Sequence, residues 1–300
     1  MEISFKKRLS SSTIYLKLVL AMCIWGGTFV PARVLSQEFS AITISFYRFL
    51  ISSIFLLLVL VYRGEHRLKW SAKNIVTMSV LGLTGVFAYN VFFFLGLQTV
   101  AAGKSSVIIS MNPAVTAIFA TIFLKEVMTW KKLLGVILAL FGVITVIGQG
   151  DFSSLFHGGF SIGEIFLLGS VTSWVIYTIV GKIILKEFTS LQATTWAFVF
   201  GTLFIFPFAY FEGALKFNSQ ASFLHWTYLL YLGVFGSAVA FLWFYDGVKV
   251  IGAAKAASFI NISPIVGVLS GVLLLGEKIN LSLLVGGTIV AIGVVLINRK

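Results

Sequence analysis

Long apolar stretches alternate with short, mostly polar connections along the whole chain of 300 residues. An α-helix needs roughly 20 apolar residues to cross a bilayer core about 30 Å thick, so each stretch of that length predicts one membrane span. The pattern predicts ten spans, near residues 14–36, 41–62, 74–97, 103–124, 131–148, 161–182, 189–211, 225–247, 252–275 and 281–297. No remaining segment is long enough for a soluble catalytic domain of typical size.

The composition indicates an all-α integral membrane protein. Hydrophobic residues make up 59% of the chain and charged residues 11%, whereas a soluble domain carries about 25% charged residues. Cys23 is the single cysteine, so an intrachain disulfide cannot form. His66, His157 and His225 are scattered over connections and the sequence has no P-loop pattern. We therefore expect neither a metal site nor a cofactor.

The net charge of +12 lies mainly at the ends of the predicted spans and not in a continuous stripe, which argues against a nucleic-acid partner. With the N-terminus inside, the outer side receives few basic residues and the inner side many, including both chain ends. The outer ones are Arg33, Lys104, Lys216 and Lys278, and the inner ones include Lys6, Lys7, Arg8, Arg299 and Lys300. The positive-inside rule then predicts cytoplasmic N- and C-termini and a multi-pass protein of the inner cell membrane.

The chain is similar to itself at a shift of 151 residues, from Leu81–Val146 to Leu232–Ile297. Glycine, lysine, proline and glutamate positions match together, which chance similarity of apolar sequence does not readily produce: Gly82, Lys104, Pro113 and Glu126 align with Gly233, Lys255, Pro264 and Glu277. We predict a first five-helix repeat at 1–148, an outer connecting loop at 149–160 and a second five-helix repeat at 161–300.

An odd number of spans in each repeat forces the two repeats into opposite orientations. Inverted repeats give a transporter two related halves around a midplane site, which can then open alternately to each side. The alternative is that duplication only built a larger helix bundle.

Several segments carry a resemblance to a known family. They are IWGGTFVPAR in the first span, FYRFL in the second, NPAVTAIFATIFLKE in the fourth, SWVIYTIVGK in the sixth and SPIVGVLSGVLLLGEKI in the ninth. In this order and spacing the chain resembles the EamA-type ten-helix members of the drug/metabolite transporter superfamily. The resemblance implies secondary transport of small organic solutes without ATP, often export of amino acids or related metabolites. It also implies a central cavity lined by helices other than the fifth and tenth.

Arg48 is the charge that lies well inside a predicted span, about seven residues into the second. A buried guanidinium costs several kcal/mol unless it is paired or hydrated, so it is expected to face the bundle or a water-filled cavity. There it would attract a substrate carboxylate or organise contacts between helices. The alternative is that its long side chain extends to the outer headgroups.

Aromatic and amide side chains near mid-membrane complete the predicted substrate site. A mostly apolar pocket with a few polar anchors is typical of small-molecule sites, and packing or lipid contact is the alternative for each residue. The predicted substrate-binding residues are Trp25, Arg48, Tyr89, Asn90, Trp174, Tyr177 and Trp243.

Pro113 and Pro264 lie about ten residues into the fourth and ninth spans. Each removes a backbone hydrogen bond and frees a carbonyl, so each is predicted to kink its helix. The kinks serve as hinges for alternating access or as fixed bends.

Glu126 and Glu277, which follow long apolar runs, are interpreted as caps at the membrane interface rather than proton carriers. Recurrent glycines such as Gly135 and Gly286 indicate close helix packing.

The leading hypothesis is therefore a monomeric, non-enzymatic secondary transporter that exports or exchanges small organic metabolites by alternating access, amino acids first among them. Its partners would be the small-molecule substrate and membrane lipid. The alternatives are a membrane-embedded lipid-modifying enzyme and a channel or scaffold without alternating access.

Overall fold

The structure is a computed structural model that describes residues 11–65, 71–124, 127–148, 160–251, 256 and 259–298. Some positions interpreted above lie outside this part of the chain. They are Lys6, Lys7, Arg8, His66, Glu126, His157, Lys255, Arg299, Lys300 and most of the connecting loop, 149–159.

The described residues form the ten helical spans of an all-α membrane protein. Eight of these are long and apolar enough to cross a membrane, and the ninth and tenth appear as shorter apolar helices. Span 1 comprises Ser11–Gly27 and Phe29–Glu38; span 2, Ala41–Tyr62; span 3, Ala72–Leu81, Gly82–Ala88 and Tyr89–Thr99; span 4, Ala102–Ile109 and Asn112–Leu124; span 5, Trp130–Ile147; span 6, Ile162–Ile184; span 7, Ser190–Phe211; span 8, Phe223–Leu230, Tyr231–Val239 and Ala240–Ile251; span 9, Ile262–Leu275; span 10, Leu281–Asn298.

Polar residues in the connections determine where many spans begin. A serine or threonine side chain at the N-cap accepts a hydrogen bond from the backbone N–H three residues later and so satisfies one of the free amides of the first turn. Spans 2, 3, 5, 6, 7 and 8 begin in this way, after Ser40, Ser71, Thr129, Ser161, Thr189 and Ser222.

Several spans are interrupted near the middle of the bundle. Span 1 breaks at Thr28 and span 4 breaks between Ile109 and Asn112. Spans 3 and 8 instead widen into π-helical segments, Gly82–Ala88 and Tyr231–Val239. These two segments lie at equivalent positions of the internal repeat.

The predicted proline kinks need a correction. Pro113 is the second residue of the helix Asn112–Leu124 and Pro264 the third residue of Ile262–Leu275. In span 4 the helix breaks before the proline and restarts with it in the first turn, where a missing N–H costs little. A short 3₁₀ segment, Phe259–Asn261, occupies the same place before span 9. Pro207, by contrast, lies well inside the continuous helix of span 7.

Contacts at the ends of the spans follow the alternation of ten crossings. The Ser40 hydroxyl lies 2.5 Å from Glu212 Oε2, joining the first and seventh connections. Thr189 Oγ1 donates to Glu65 Oε2 at 2.6 Å, joining the second and sixth. Odd-numbered connections meet each other at one end of the bundle and even-numbered ones at the other.

Spans 5 and 10 pack against each other through glycines. A Cβ on Gly135 would come within 2.4 Å of the Gly293 carbonyl oxygen, and one on Gly142 within 2.6 Å of the Gly286 carbonyl oxygen. In the repeat Gly135 is equivalent to Gly286 and Gly142 to Gly293, so the contact maps onto itself when the two halves are exchanged. Such self-complementary contact is expected between two units related by a pseudo-twofold axis.

Candidate functional site

A central cavity lies between spans 1, 2, 3, 4, 6, 8 and 9. Aromatic rings form most of its wall, and a few polar side chains interrupt them. The lining residues are Trp25, Thr28, Phe29, Arg48, Tyr89, Phe93, Ile109, Asn112, Trp174, Phe241, Ile260 and Ser263. Spans 5 and 10 contribute none of these residues, in agreement with the peripheral position that the resemblance implies.

Arg48 reaches the cavity from the second turn of span 2 and is only 4% exposed. Its guanidinium donates from Nε to Ser237 Oγ at 2.7 Å and from Nη1 to Asn90 Oδ1 at 3.1 Å. Nη2 is 3.5 Å from the Gly236 carbonyl oxygen, a weak contact. Arg48 thus faces the interior of the bundle, and the alternative of an outward extension to headgroups is wrong.

The two π-helical segments hold the partners of Arg48 in place. Asn90 Nδ2 donates to the carbonyls of Gly85 and Val86 at 3.3 and 2.9 Å, and Ser237 Oγ donates to the Leu232 carbonyl at 2.9 Å. A π-turn leaves carbonyls without their usual helical donors, and side chains can then bond to them. Arg48 therefore connects the first repeat to the second through Ser237, while Asn90 holds it from within the first repeat.

The charge of Arg48 has no carboxylate opposite it among the residues that line the cavity. Its hydrogen-bond partners are neutral, and the lining set contains neither aspartate nor glutamate. A guanidinium carries five N–H donors, so some stay available for a ligand. A buried charge without a counter-ion favours binding of an anion, and a carboxylate matches the planar donor fork of arginine.

Two tryptophans from equivalent spans of the repeats meet in the cavity wall. The Trp25 and Trp174 rings pack edge to face with centroids 5.4 Å apart and planes at 90°. Trp25 Nε1 donates to the Gly236 carbonyl at 2.9 Å. Tyr89 lies 5.2 Å from Trp174 between ring centroids. Four of the predicted site residues, these three and Arg48, therefore line one cavity.

The other predicted site residues lie outside the lining. Asn90 is fully buried and positions Arg48. Tyr177 is fully buried and stacks on Tyr245, with centroids 5.4 Å apart and planes at 10°. Trp243 is half-buried and lies outside the lining. Phe241 occupies the position in the wall that was predicted for Trp243. Positions 241 and 243 face different sides of a helix because successive residues turn by about 100°.

Sequence reasoning missed eight lining residues: Thr28, Phe29, Phe93, Ile109, Asn112, Phe241, Ile260 and Ser263. Most are apolar residues in apolar helices, and composition does not separate them from lipid-facing neighbours. Phe241 had a usable signal, because Phe241, Phe244 and Tyr245 follow the spacing of one helix face. All three are buried.

Charged side chains close the bundle on both sides of the cavity. At one end Glu277 accepts from the backbone N–H groups of Ala102 and Gly103 at 2.7 and 2.9 Å, which agrees with its interpretation as a cap. Lys104 pairs with Glu164 at 2.6 Å at the same end. At the other end Lys17 of span 1 pairs with Asp246 of span 8 at 3.0 Å.

Known proteins resemble this chain over nearly its whole length. The model of the EamA-like transporter family matches residues 12–148 and again 161–299. An uncharacterized transporter of Bacillus subtilis, YyaM, is 30% identical over 94% of this chain and 92% of its own. A probable terminal-alkyne amino-acid exporter of Streptantibioticus cattleyicolor is 28% identical over 94% of this chain and 92% of its own.

A solved crystal structure also superposes on the chain. The TM-score is 0.66, the sequences are 15% identical, and the match covers 95% of this chain and 97% of the other. At that identity the likeness concerns the fold. The matches to the family model and to transporters of similar length agree with a bundle that spans the membrane around a polar-aromatic cavity, and the chain belongs to the EamA-like transporter family.

Proposed function

We propose that this protein is a secondary transporter that exports or exchanges small organic metabolites carrying a carboxylate, amino acids and related compounds foremost. The observation that carries the proposal is Arg48, a buried cation whose hydrogen-bond partners are all neutral and which lines the central cavity. The probable amino-acid exporter among the similar proteins also supports amino acids as substrates. The protein acts as a carrier and not as an enzyme.

Alternating access is the proposed mechanism. The two repeats rock about the cavity, and each end opens in turn. The Lys17–Asp246 pair joins spans 1 and 8 at the proposed cytoplasmic end, and the Lys104–Glu164 pair joins spans 4 and 6 at the proposed outer end. Each pair must separate when its own end opens, so the two pairs alternate during a transport cycle.

The proposed orientation places both chain ends in the cytoplasm and the protein in the inner membrane as a monomer. The excess of lysine and arginine on the even-numbered connections supports it. The two five-helix units at 1–148 and 161–300 form the two moving halves.

Counterflow in proteoliposomes tests the function. Purified protein is reconstituted with a high internal concentration of one compound, and entry of the same radiolabelled compound is followed. We expect exchange of amino acids or small carboxylates, abolished in Arg48→Ala. Exchange of cationic dyes alone, or equal exchange by Arg48→Ala, would contradict the proposal.

A further inference from the structure

The wall of the cavity that Arg48 lines also contains an unpartnered acceptor. Asn112 is 3% exposed and lines the cavity at the point where span 4 restarts after its break. Its Oδ1 atom is buried and has no hydrogen-bond partner. Leaving such an oxygen without a donor is unfavourable, so a ligand that donates a hydrogen bond to it is bound more tightly.

The two prolines add backbone acceptors next to this amide. In a continuous helix the carbonyl of Ile109 would accept from the N–H of residue 113, which is Pro113 and has none. Pro264 likewise offers no N–H to the carbonyl of Ile260, four residues earlier. Both isoleucines line the cavity. The internal repeat thus brings the two residues that carry these carbonyls to the same cavity.

We propose that Asn112 Oδ1, with the carbonyls of Ile109 and Ile260, binds the ammonium group of a zwitterionic substrate whose carboxylate is bound by Arg48. This deepens the proposed function and rests on it. Donors of Arg48 then face the carboxylate and the acceptors at the helix breaks face the ammonium group. The rings of Trp25 and Trp174 line the same cavity, and aromatic faces attract cations.

These acceptors discriminate between carboxylates with and without an amino group. A carboxylate without an amino group leaves Asn112 unpartnered in the bound state, whereas an α-amino acid satisfies it. A hydrogen bond to a charged group is worth about 1.5–3 kcal/mol, which corresponds to a preference of roughly 10- to 150-fold for the amino acid. A bare alkali cation would satisfy the same oxygens, so the test includes sodium.

Matched compounds test the proposal in counterflow. Leucine is compared with 4-methylpentanoate, and phenylalanine with 3-phenylpropionate, each with sodium and with choline as the external cation. The wild-type protein is expected to prefer the amino acid of each pair by at least about 10-fold, with no requirement for sodium. Asn112→Leu is expected to lose this preference and to keep exchange of the des-amino carboxylates.

Asn112→Asp presents only acceptor oxygens and is expected to keep the preference for the amino acid. Thr194→Val is the matched control, because it also removes a buried and unpartnered oxygen, from a residue outside the cavity lining, and it is expected to leave the preference unchanged.

The failures are distinguishable. If carboxylates and amino acids are exchanged equally by wild type and Asn112→Leu, the ammonium site is wrong and the proposed function stands. A sodium requirement that Asn112→Leu removes also overturns the ammonium site. If neither compound of either pair is exchanged, the proposed carboxylate transport fails as well.

Discussion

Arg48 of span 2 donates a 2.7 Å hydrogen bond to Ser237 Oγ of span 8. Ser237 donates in turn to the Leu232 carbonyl of the π-helical segment, and Asn90 of the first repeat accepts a second hydrogen bond from Arg48. The guanidinium is therefore held by both repeats. A cation fixed in this way keeps its position in the cavity without a carboxylate partner, and it links the binding site directly to the relative position of the two halves.

Two replacements of Arg48 are expected to distinguish the effect of its positive charge from that of its hydrogen-bond geometry. Arg48→Ala loses the cation and leaves Asn90 Oδ1 and Ser237 Oγ without the donor from which they accept, so transport should fall about 100-fold or more. Arg48→Lys keeps the charge but cannot span both partners, and it should retain partial transport with weaker substrate affinity. Counterflow with a concentration series measures both effects.

The exposed Lys249→Ala is the control for loss of a positive charge elsewhere. Comparable folding of all variants is checked by size-exclusion chromatography of the purified proteins in detergent. Wild-type transport in Arg48→Lys would show that the fork geometry has no role.

The tryptophans of the cavity wall should differ from the tryptophan outside it. Trp25→Phe and Trp174→Phe change the surface that a substrate meets, so both should alter substrate affinity. Trp25→Phe additionally removes the hydrogen bond to Gly236 and should lower stability by about 1 kcal/mol. Trp243→Phe, outside the lining, should leave affinity unchanged. Transport assays and thermal melting in detergent provide the measurements; unaltered affinity in both wall variants would return these rings to a packing role.

Two neighbouring glycines of span 10 provide a test of the close glycine contact between spans 5 and 10, the seam of the two helices. A Cβ on Gly286 would lie 2.5 Å from Val146 Cγ2 and 2.6 Å from the Gly142 carbonyl oxygen, whereas one on Gly287 meets nothing closer than 3.7 Å. Gly286→Ala is therefore expected to destabilise the protein by about 1–3 kcal/mol. Gly287→Ala should be neutral or stabilising, because alanine favours a helix by about 1 kcal/mol over glycine. Equal melting temperatures of the two variants would rule out the close seam.

Thiol labelling tests the proposed orientation. Cys23 is the single native cysteine, so a Cys23→Ser background permits one reporter at a time. Phe223 at the start of span 8 is 89% exposed and Tyr62 at the end of span 2 is 92% exposed. An impermeant maleimide should label Phe223→Cys in intact cells and Tyr62→Cys only after permeabilisation. The reverse result would invert the orientation, and labelling of both from outside would contradict the ten-span alternation.

Much of the site was predictable because it contains residue types that are rare in the surrounding apolar sequence. Arg48 is conspicuous because a charge within an apolar run is costly, and Trp25 and Trp174 because they occupy similar places in the first helix of each repeat. Trp243 was selected on residue type and lies off the cavity, since rotation about a helix axis depends on packing against neighbours. Pro113 and Pro264 were predicted to kink their helices, but their position in the first turn of a helix depends on the break that precedes them.

The amino-acid sequence by itself determined the number of spans, the internal repeat and the presence of a buried cation. These follow from local hydrophobicity and from residue identity, which need no knowledge of the partners. Only the tertiary structure decided that Arg48 is held by Asn90 and Ser237 and that Asn112 lines the same cavity without a partner. Those relationships join residues far apart in the chain, and their geometry depends on how helices pack, a property that no single segment encodes.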